Sequence, residues 1–239
     1  MRNMTRYLCV LFGLIAFTLI GCKSQKNNEG DAYQGDKAAE DKTITNNDIP
    51  VITEVKPVLD MYLKVINNET KLYFGNAGSI YLRDVWSKVF SGNPDINVEE
   101  FTLIDMDGNG IPEFVFNLNI VYDGFTFILH YFNGAVYGDI YGYREMQGLK
   151  KDGTFYWSNS AANSGIGKRQ FSGGKAEFIK MAEADEREAK GIYRINNSVV
   201  TEIDFFVFVA MHDEKERAEW YDFTFDNLSN LEELYNEQP

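Results

Sequence analysis

The sequence predicts an α+β fold, an antiparallel β meander with helices at its N-terminal and C-terminal ends. Aromatic residues make up 15% of the chain, and many lie with β-branched residues in short runs that are typical of strands. The pair Asn133-Gly134 separates two such runs, and both residues tolerate the positive φ angles of a tight hairpin turn. Apolar residues at helical spacing flank this region, in residues 55–66 and 228–234.

Two helices are predicted before the first strand of the meander. In residues 55–66 apolar side chains recur at i, i+3, i+4 and i+7, and Pro57 lies in the first turn, where proline is tolerated. A second helix is predicted for residues 80–90, with Leu82 and Val85 on its buried side. The sequence SGNP at residues 91–94 should end that helix.

The strands of the meander are predicted where aromatic and β-branched runs lie between turn signals. Residues 151–153 (KDG) and 172–174 (SGG) supply such turns. Residues 158–167 are small and polar, so we expect a long turn or a ligand-contacting loop there. The predicted strands are residues 101–104, 113–118, 125–131, 135–140, 154–157 and 176–181.

The C-terminal part contains one ambiguous stretch, residues 198–212. Val207 and Val209 would suit a strand, whereas Thr201 with Asp204 three residues later resembles a capping box and favours a helix. We prefer the helix. Beyond it, residues 220–225 are predicted to form a last strand, and a final helix should be capped by Asp226 or Asn227, with Leu228, Leu231 and Leu234 on one side.

The N-terminus has the features of a bacterial lipoprotein signal. Arg2 and Arg6 precede an apolar run at residues 8–20, which is shorter than the roughly 20 residues that span a bilayer. The run ends in LIGC at residues 19–22, which resembles the lipobox of bacterial lipoproteins. That resemblance implies cleavage before Cys22, lipid on its sulfur, and an extracytoplasmic location anchored to the bacterial cell membrane. An ordinary secretory signal that happens to contain a cysteine is the alternative.

This interpretation divides the chain into three parts: a signal peptide (residues 1–21), a lipidated Cys22 with a flexible tether (22–48), and one α+β domain (49–239). The tether is polar and contains too few apolar residues to build a core. The other cysteine, Cys9, lies inside the signal peptide, so the mature domain should contain no disulfide. The formal net charge of −13 argues against nucleic acid as a partner.

The most informative stretch is DMDGNGIPE at residues 105–113, which leads directly into an apolar strand. Asp105, Asp107, Asn109 and Glu113 place side-chain oxygens at alternating positions through a glycine-rich turn. Oxygen ligands without His or Cys are those that a hard cation such as Ca²⁺ requires. An EF-hand is excluded, because its twelfth position carries a bidentate Glu and here that position is Phe116.

The spacing instead resembles the short calcium loops of integrin-like FG-GAP and VCBS-type repeats. Carried over, that resemblance implies ligation by Asp105, Asp107, Asn109, the main-chain carbonyl of Ile111, and Glu113, although Asp is commoner at the ninth position. Only one copy occurs, so the propeller fold of the repeat family is not implied. A metal-free turn with hydrated acids is the alternative. The ion should be structural, with a dissociation constant of roughly 10⁻⁴–10⁻³ M, as in extracellular modules.

The pattern FxLxDxDGNGIPE also resembles a group of uncharacterised lipoproteins of Gram-positive bacteria. This likeness covers most of residues 55–235 and brings no established activity with it. The expected function is therefore a lipid-anchored, calcium-stabilised module that binds a surface glycan or protein. The alternative is a carbohydrate-active or other hydrolytic surface enzyme, because abundant aromatic residues would suit sugar stacking.

No catalytic residue is nominated by the sequence. The chain has two histidines, and they lack the spacing of a zinc motif. His130 is expected on a strand, at the surface or hydrogen-bonded, and His212 precedes a charged run that we expect to be solvated. The chain also lacks the G-x-S-x-G nucleophile elbow and the P-loop spacing.

Overall fold

The computed structural model of the protein describes residues 54–90, 96–120, 123–187 and 190–237. Over these residues the chain has an α+β fold dominated by antiparallel strands, as the sequence predicts. The described residues belong to one unit, Asn46–Pro239. The predicted signal peptide, Cys22, the tether and the helix-ending residues 91–94 lie outside the described residues.

The predicted helices are present at both ends of the domain. Pro57 lies in the first turn of the first helix, and most of the ambiguous stretch 198–212 is helical, as preferred, although Ser198–Val200 forms a short strand. The cap of this helix is the predicted one, since the Thr201 side chain accepts a hydrogen bond from the Asp204 N–H at 3.2 Å. Among the described residues, no helix is long and apolar enough to cross a lipid bilayer. The helices are α1 (Lys56–Ile66), α2 (Leu82–Val89), α3 (Glu202–Asp213), α4 (Phe225–Ser229) and α5 (Leu231–Asn236).

Within the described ranges the strands form two sheets rather than the one meander that the sequence predicts. The first sheet has the order β12-β3-β4-β5-β6-β1-β2, with β1 parallel to β6, and the second has the order β11-β10-β9-β8-β7. The strands are β1 (Leu72–Phe74), β2 (Ser79–Ile80), β3 (Asn97–Ile104), β4 (Glu113–Ile120), β5 (Asp123–Phe132), β6 (Ala135–Gly142), β7 (Thr154–Ser160), β8 (Asn163–Ser172), β9 (Lys175–Asp185), β10 (Ile192–Ile195), β11 (Ser198–Val200) and β12 (Tyr221–Asp222).

The hairpin between β5 and β6 confirms the strongest local signal. Asn133 and Gly134 have φ angles of 48° and 82°, so both central residues of this turn are left-handed. In contrast, the long loop predicted for residues 158–167 is wrong, because these residues belong to β7, a two-residue turn and β8. Small residues are needed here for packing: a Cβ at Gly165 would come within 1.9 Å of the Ala182 carbonyl oxygen on β9.

The prediction of a strand followed by a helix at the C-terminal end gives the correct types of element, but their lengths and number are wrong. The last strand is confined to Tyr221–Asp222, and two short helices replace the single final helix. The cap of α4 is Thr224, whose hydroxyl accepts from the Asn227 N–H at 3.3 Å, rather than Asp226 or Asn227. Thr, Asp and Asn are all favoured as N-caps, so composition alone does not fix the first residue of this helix.

In the part of the chain that the structure describes, three apolar cores separate four layers of secondary structure. The first core lies between α1, α2 and α5 and one face of the first sheet. The second core lies between the two sheets, and the third lies between the second sheet and α3. Strand β4 therefore faces apolar neighbours on both sides: Phe114 and Phe116 belong to the first core and Val115 to the second. This explains the nearly continuous apolar sequence of β4.

Helix α3 is apolar on both its buried and its exposed sides. Phe205 and His212 are buried against the second sheet. The outward side carries large apolar side chains that are more than half exposed, which is uncommon for a helix of a soluble protein. These are Ile203, Phe206, Val207 and Met211.

Candidate metal centre

The acidic loop joins β3 to β4 within the first sheet. Strand β3 ends at Ile104 and β4 begins at Glu113, and these two residues are paired across the ladder. Gly108 and Gly110 have φ angles of 80° and 84°, a conformation that other residues adopt only with strain. The two glycines therefore let the chain turn tightly around the side chain of Asp105.

Asp105 organises the loop through its carboxylate. Its Oδ1 accepts hydrogen bonds from the N–H groups of Gly108 at 2.9 Å and Asn109 at 3.0 Å, and its Oδ2 accepts from Gly110 at 2.8 Å. Each carboxylate oxygen has two lone pairs, so the two bonds to Oδ1 fill its acceptor capacity, whereas Oδ2 keeps one lone pair free. The carboxylate thus shapes the loop and can still ligate a cation.

Asp107 connects the loop to the second sheet. Its Oδ1 accepts from the Asn109 N–H at 3.2 Å, and its Oδ2 accepts from the N–H of Phe171 on β8 at 2.9 Å. Gly153, which precedes β7, approaches the same loop so closely that a Cβ there would lie 2.2 Å from the Met106 carbonyl oxygen. The loop is therefore held between the two sheets.

Glu113 is the buried member of the group, with 1% of its surface exposed. Burial raises the pKa of its carboxyl well above the ordinary value. The Met106 N–H, which donates to Oε2 at 2.8 Å, lowers this pKa, whereas Asp107 and Asp105 raise it further. The ionised form of Glu113 is disfavoured here, and a nearby cation would reverse that preference.

Three of the five predicted ligands meet in the structure. One carboxylate oxygen from each of Asp105, Asp107 and Glu113 lies within 4.8 Å of the other two. Asn109 stands beside them in an Asx turn, with its Oδ1 accepting from the Ile111 N–H at 2.7 Å. The Ile111 carbonyl stays a predicted ligand. This donor set of oxygen atoms fits a hard dication.

Sequence reasoning missed the residues that support the loop from other elements. The Tyr62 hydroxyl on α1 donates to the Pro112 carbonyl at 2.9 Å and is fully buried. Tyr235 on α5 lines the same small cavity as Asp105. Burial raises the pKa of Tyr235, and the charges of Asp105 and Glu113 raise it further. No local signal marks these tyrosines, since their contacts depend on how the helices pack on the first sheet.

His130 lies on β5 and is not part of the acidic loop. It is fully buried, and its ring stacks between those of Tyr137 and Phe171, with centroid distances of 5.4 Å and 4.5 Å. Its Nε2 lies 3.2 Å from Oδ2 of Asp139. The surface alternative for this histidine is therefore wrong.

His212 is buried as well, although the charged run after it is largely exposed, as expected. Its Nε2 lies 3.0 Å from Oγ1 of Thr154, and that hydroxyl donates to Asp152 at 2.5 Å. The Nζ of Lys150, also buried, donates to the carbonyl oxygens of Asp213 and Lys215 at 3.0 Å each. These contacts fix the C-terminal end of α3 to the start of β7.

The stability of the protein should fall at mildly acidic pH because of His212. Burial lowers the pKa of His212 below its ordinary value of 6.5, and Lys215 and Lys150 lower it further. Below pH 6.5 the unfolded chain binds a proton at this residue before the folded chain does, so protonation favours unfolding. We expect a loss of at most about 1.4 kcal/mol for each pH unit between 6.5 and the lower folded pKa.

Urea unfolding from pH 7.5 to 5.5, on wild type and His212→Gln, measures this effect. Gln cannot titrate but can still bond to Thr154, so the variant should show a flatter pH dependence than wild type. Equal pH dependence in the two proteins would contradict the assignment to His212.

No family model, curated sequence or solved structure matches this chain. The chemistry of the site therefore rests on its own residues.

Proposed function

We propose that this protein is a lipid-anchored, extracytoplasmic binding module whose acidic loop holds a structural Ca²⁺. The observation that carries the metal assignment is the meeting of Asp105, Asp107 and Glu113 around a buried carboxylate. Three carboxylates this close repel one another, and the cost is greatest for Glu113 because it is removed from water. A dication among them offsets both the repulsion and the burial.

Calcium suits the site better than magnesium does. Ca²⁺ accepts six to eight oxygen ligands in flexible geometry, whereas Mg²⁺ demands a near-ideal octahedron and keeps several waters. The proposed ligands are the carboxylates of Asp105, Asp107 and Glu113, the Asn109 side chain and the Ile111 carbonyl, and water completes the shell. Zinc is disfavoured, because the set has no nitrogen or sulfur ligand.

The role proposed for the ion is structural. The loop contacts the second sheet through the Asp107 bond to Phe171 and through the close approach of Gly153 to Met106. A cation on the loop would hold these contacts in place and so stabilise the packing of the two sheets. The loop would not need to change its conformation when the ion binds, whereas a signalling site does.

The anchor is the second part of the proposal and rests on the LIGC sequence that ends at Cys22. We expect radiolabelled palmitate to be incorporated into the protein in bacterial cells, and a Cys22→Ser variant to lose the label and the membrane association. Label retained by Cys22→Ser would contradict the lipobox assignment and leave an ordinary secretory signal.

Isothermal titration calorimetry tests the metal assignment directly. The purified protein, freed of metal, should bind one Ca²⁺ with a dissociation constant of roughly 10⁻⁴–10⁻³ M and bind Mg²⁺ more weakly. Glu113→Gln should lose this binding, whereas the matched variant Glu177→Gln, at an exposed position of β9, should keep it. Absence of calcium binding, or its survival in Glu113→Gln, would overturn the proposal.

A further inference from the structure

A second concave site lies on the first sheet, where the second sheet no longer covers it. It is a cleft of ≈ 620 Å³, and a volume of about 300–1,000 Å³ is common for small-molecule sites. Asn117 and Asn119 of β4 and Thr126 of β5 form its floor, and Tyr143 and residues 146–148 form a wall beside them. Val115, on the same side of β4, is covered by the core between the sheets, whereas Asn119 is exposed.

The floor is a set of polar side chains held in fixed directions. The Thr126 hydroxyl donates to Oδ1 of Asn117 at 3.0 Å, and Nδ2 of Asn117 donates to Glu100 at 2.9 Å. Beside them, Nδ2 of Asn119 donates to Oε1 of Glu99 at 2.6 Å. Each carboxamide nitrogen keeps a second N–H, and the Glu99 carboxylate, which also lines the cleft, keeps lone pairs, so the cleft offers both donors and acceptors.

Two tyrosines form the aromatic sides of the cleft. Tyr143 is 66% exposed, and its ring lies beside the backbone of Gly124, where a Cβ would come within 3.8 Å of it. Tyr156 lies beside Gly148 in the same way, and its hydroxyl is fixed by donation to Asp213 at 2.7 Å. An exposed ring next to a polar floor is suited to a ligand that has both an apolar face and many hydroxyl groups.

The charge of the cleft limits the ligand further. Glu99 is the one charged residue among the described residues that line it, and no Lys or Arg is among them. An anionic ligand such as a phosphate or an acidic sugar would find no counter-charge there, and burying its charge unpaired would be costly. A neutral polyhydroxylated ligand meets no such cost.

We propose that this cleft binds a neutral oligosaccharide. The C–H face of one sugar ring stacks on Tyr143, and its hydroxyl groups bond to Asn117, Asn119 and Glu99. This proposal gives a ligand class to the surface binding module proposed above. It rests on that function in one respect, because a location at the cell surface would expose the cleft to glycans. The acidic loop contributes no residue to the cleft.

The probes are four neutral tetrasaccharides, namely maltotetraose, cellotetraose, chitotetraose and laminaritetraose, with tetragalacturonate as an anionic comparator. Their binding to the full chain is measured by calorimetry in 5 mM Ca²⁺ and again in EDTA. Tyr143→Ala removes the exposed ring, and Asn119→Ala removes a floor side chain that is itself exposed. Tyr73→Ala, which removes another exposed tyrosine far along the sheet on β1, is the matched control.

We expect at least one neutral tetrasaccharide to bind to the wild-type protein. Its affinity should be reduced at least about five-fold in Tyr143→Ala, reduced in Asn119→Ala and unchanged in Tyr73→Ala. The proposal is overturned if none of the four binds in either buffer, if Tyr143→Ala binds as wild type does, or if tetragalacturonate binds equally well. Calcium binding by the same samples is read separately, so failure of the cleft and failure of the metal site are distinguishable.

Discussion

Asp105→Ala is expected to lower the free energy of unfolding by about 2 kcal/mol even in the absence of calcium. The Asp105 carboxylate accepts three backbone N–H groups in the loop, and each bond contributes about 1 kcal/mol at a partly exposed position. Removing one negative charge from beside Asp107 and Glu113 returns about 1 kcal/mol by relieving repulsion. The hydrogen bonds outweigh the repulsion, so the variant is less stable.

In the presence of calcium, Asp105→Ala should lose more unfolding free energy relative to the wild type. At 10 mM, Ca²⁺ is about 10–100 times its expected dissociation constant and adds about 1.4–2.7 kcal/mol to the stability of the folded wild type, so the total loss in the variant should be about 3–5 kcal/mol. Urea unfolding in EDTA and in 10 mM Ca²⁺ measures both parts, with Glu177→Ala as a control for the loss of an exposed acid. An Asp105→Ala protein as stable as wild type in EDTA would show that the carboxylate does not organise the loop.

Gly153→Ala is expected to cost about 2–4 kcal/mol, or to prevent folding altogether. The φ angle of Gly153 is 76°, and adopting it costs a non-glycine residue about 1 kcal/mol or slightly more. The added Cβ would also lie 2.2 Å from the Met106 carbonyl oxygen and 2.6 Å from the Met106 Cα, so backbone must move. Overpacking against backbone adds about 1–3 kcal/mol.

Gly134→Ala is the matched control, because it separates strain from overpacking. Gly134 has a similar φ of 82°, but an added Cβ there would meet nothing within 4 Å. Urea unfolding should therefore give a loss of about 1 kcal/mol for Gly134→Ala and a clearly larger loss for Gly153→Ala. Equal losses in the two variants would mean that the approach of Gly153 to the acidic loop is not tight.

Local signals predicted most elements of this fold, but not how they are layered. The Asn133-Gly134 turn and the Thr201 cap depend on neighbouring residues, and both are found where the sequence places them. The division into two sheets depends on where the chain leaves the first sheet after Gly142, and no turn residue distinguishes that point from an ordinary hairpin. Gly165 illustrates a related error, because a glycine required by close packing resembles a glycine in a loop.

The same limit applies to the candidate metal centre. Spacing alone brought Asp105, Asp107 and Glu113 together, because the three are within nine residues and share one turn. The burial of Glu113 and the bond from Phe171 to Asp107 were not predictable, since Phe171 is 64 residues away in sequence. The contacts that connect the loop to the second sheet are thus long-range in sequence, whereas the side chains that could bind a cation are close together in sequence.

Thermal unfolding of the purified protein in EDTA, in 10 mM Ca²⁺ and in 10 mM Mg²⁺ tests the central claim most directly. Ca²⁺ at 10 mM should add about 1.4–2.7 kcal/mol of stability, which corresponds to a rise in melting temperature of about 3–10 °C for a domain of this size, and we expect that rise in Ca²⁺ with a smaller one in Mg²⁺. The key variant is Glu113→Gln, which keeps an oxygen to accept the Met106 N–H but removes the buried charge. It should melt in EDTA at or above the wild-type temperature and gain nothing from Ca²⁺. A wild-type protein that does not respond to Ca²⁺, or a Glu113→Gln protein that responds equally, would contradict the claim that this loop is a calcium site.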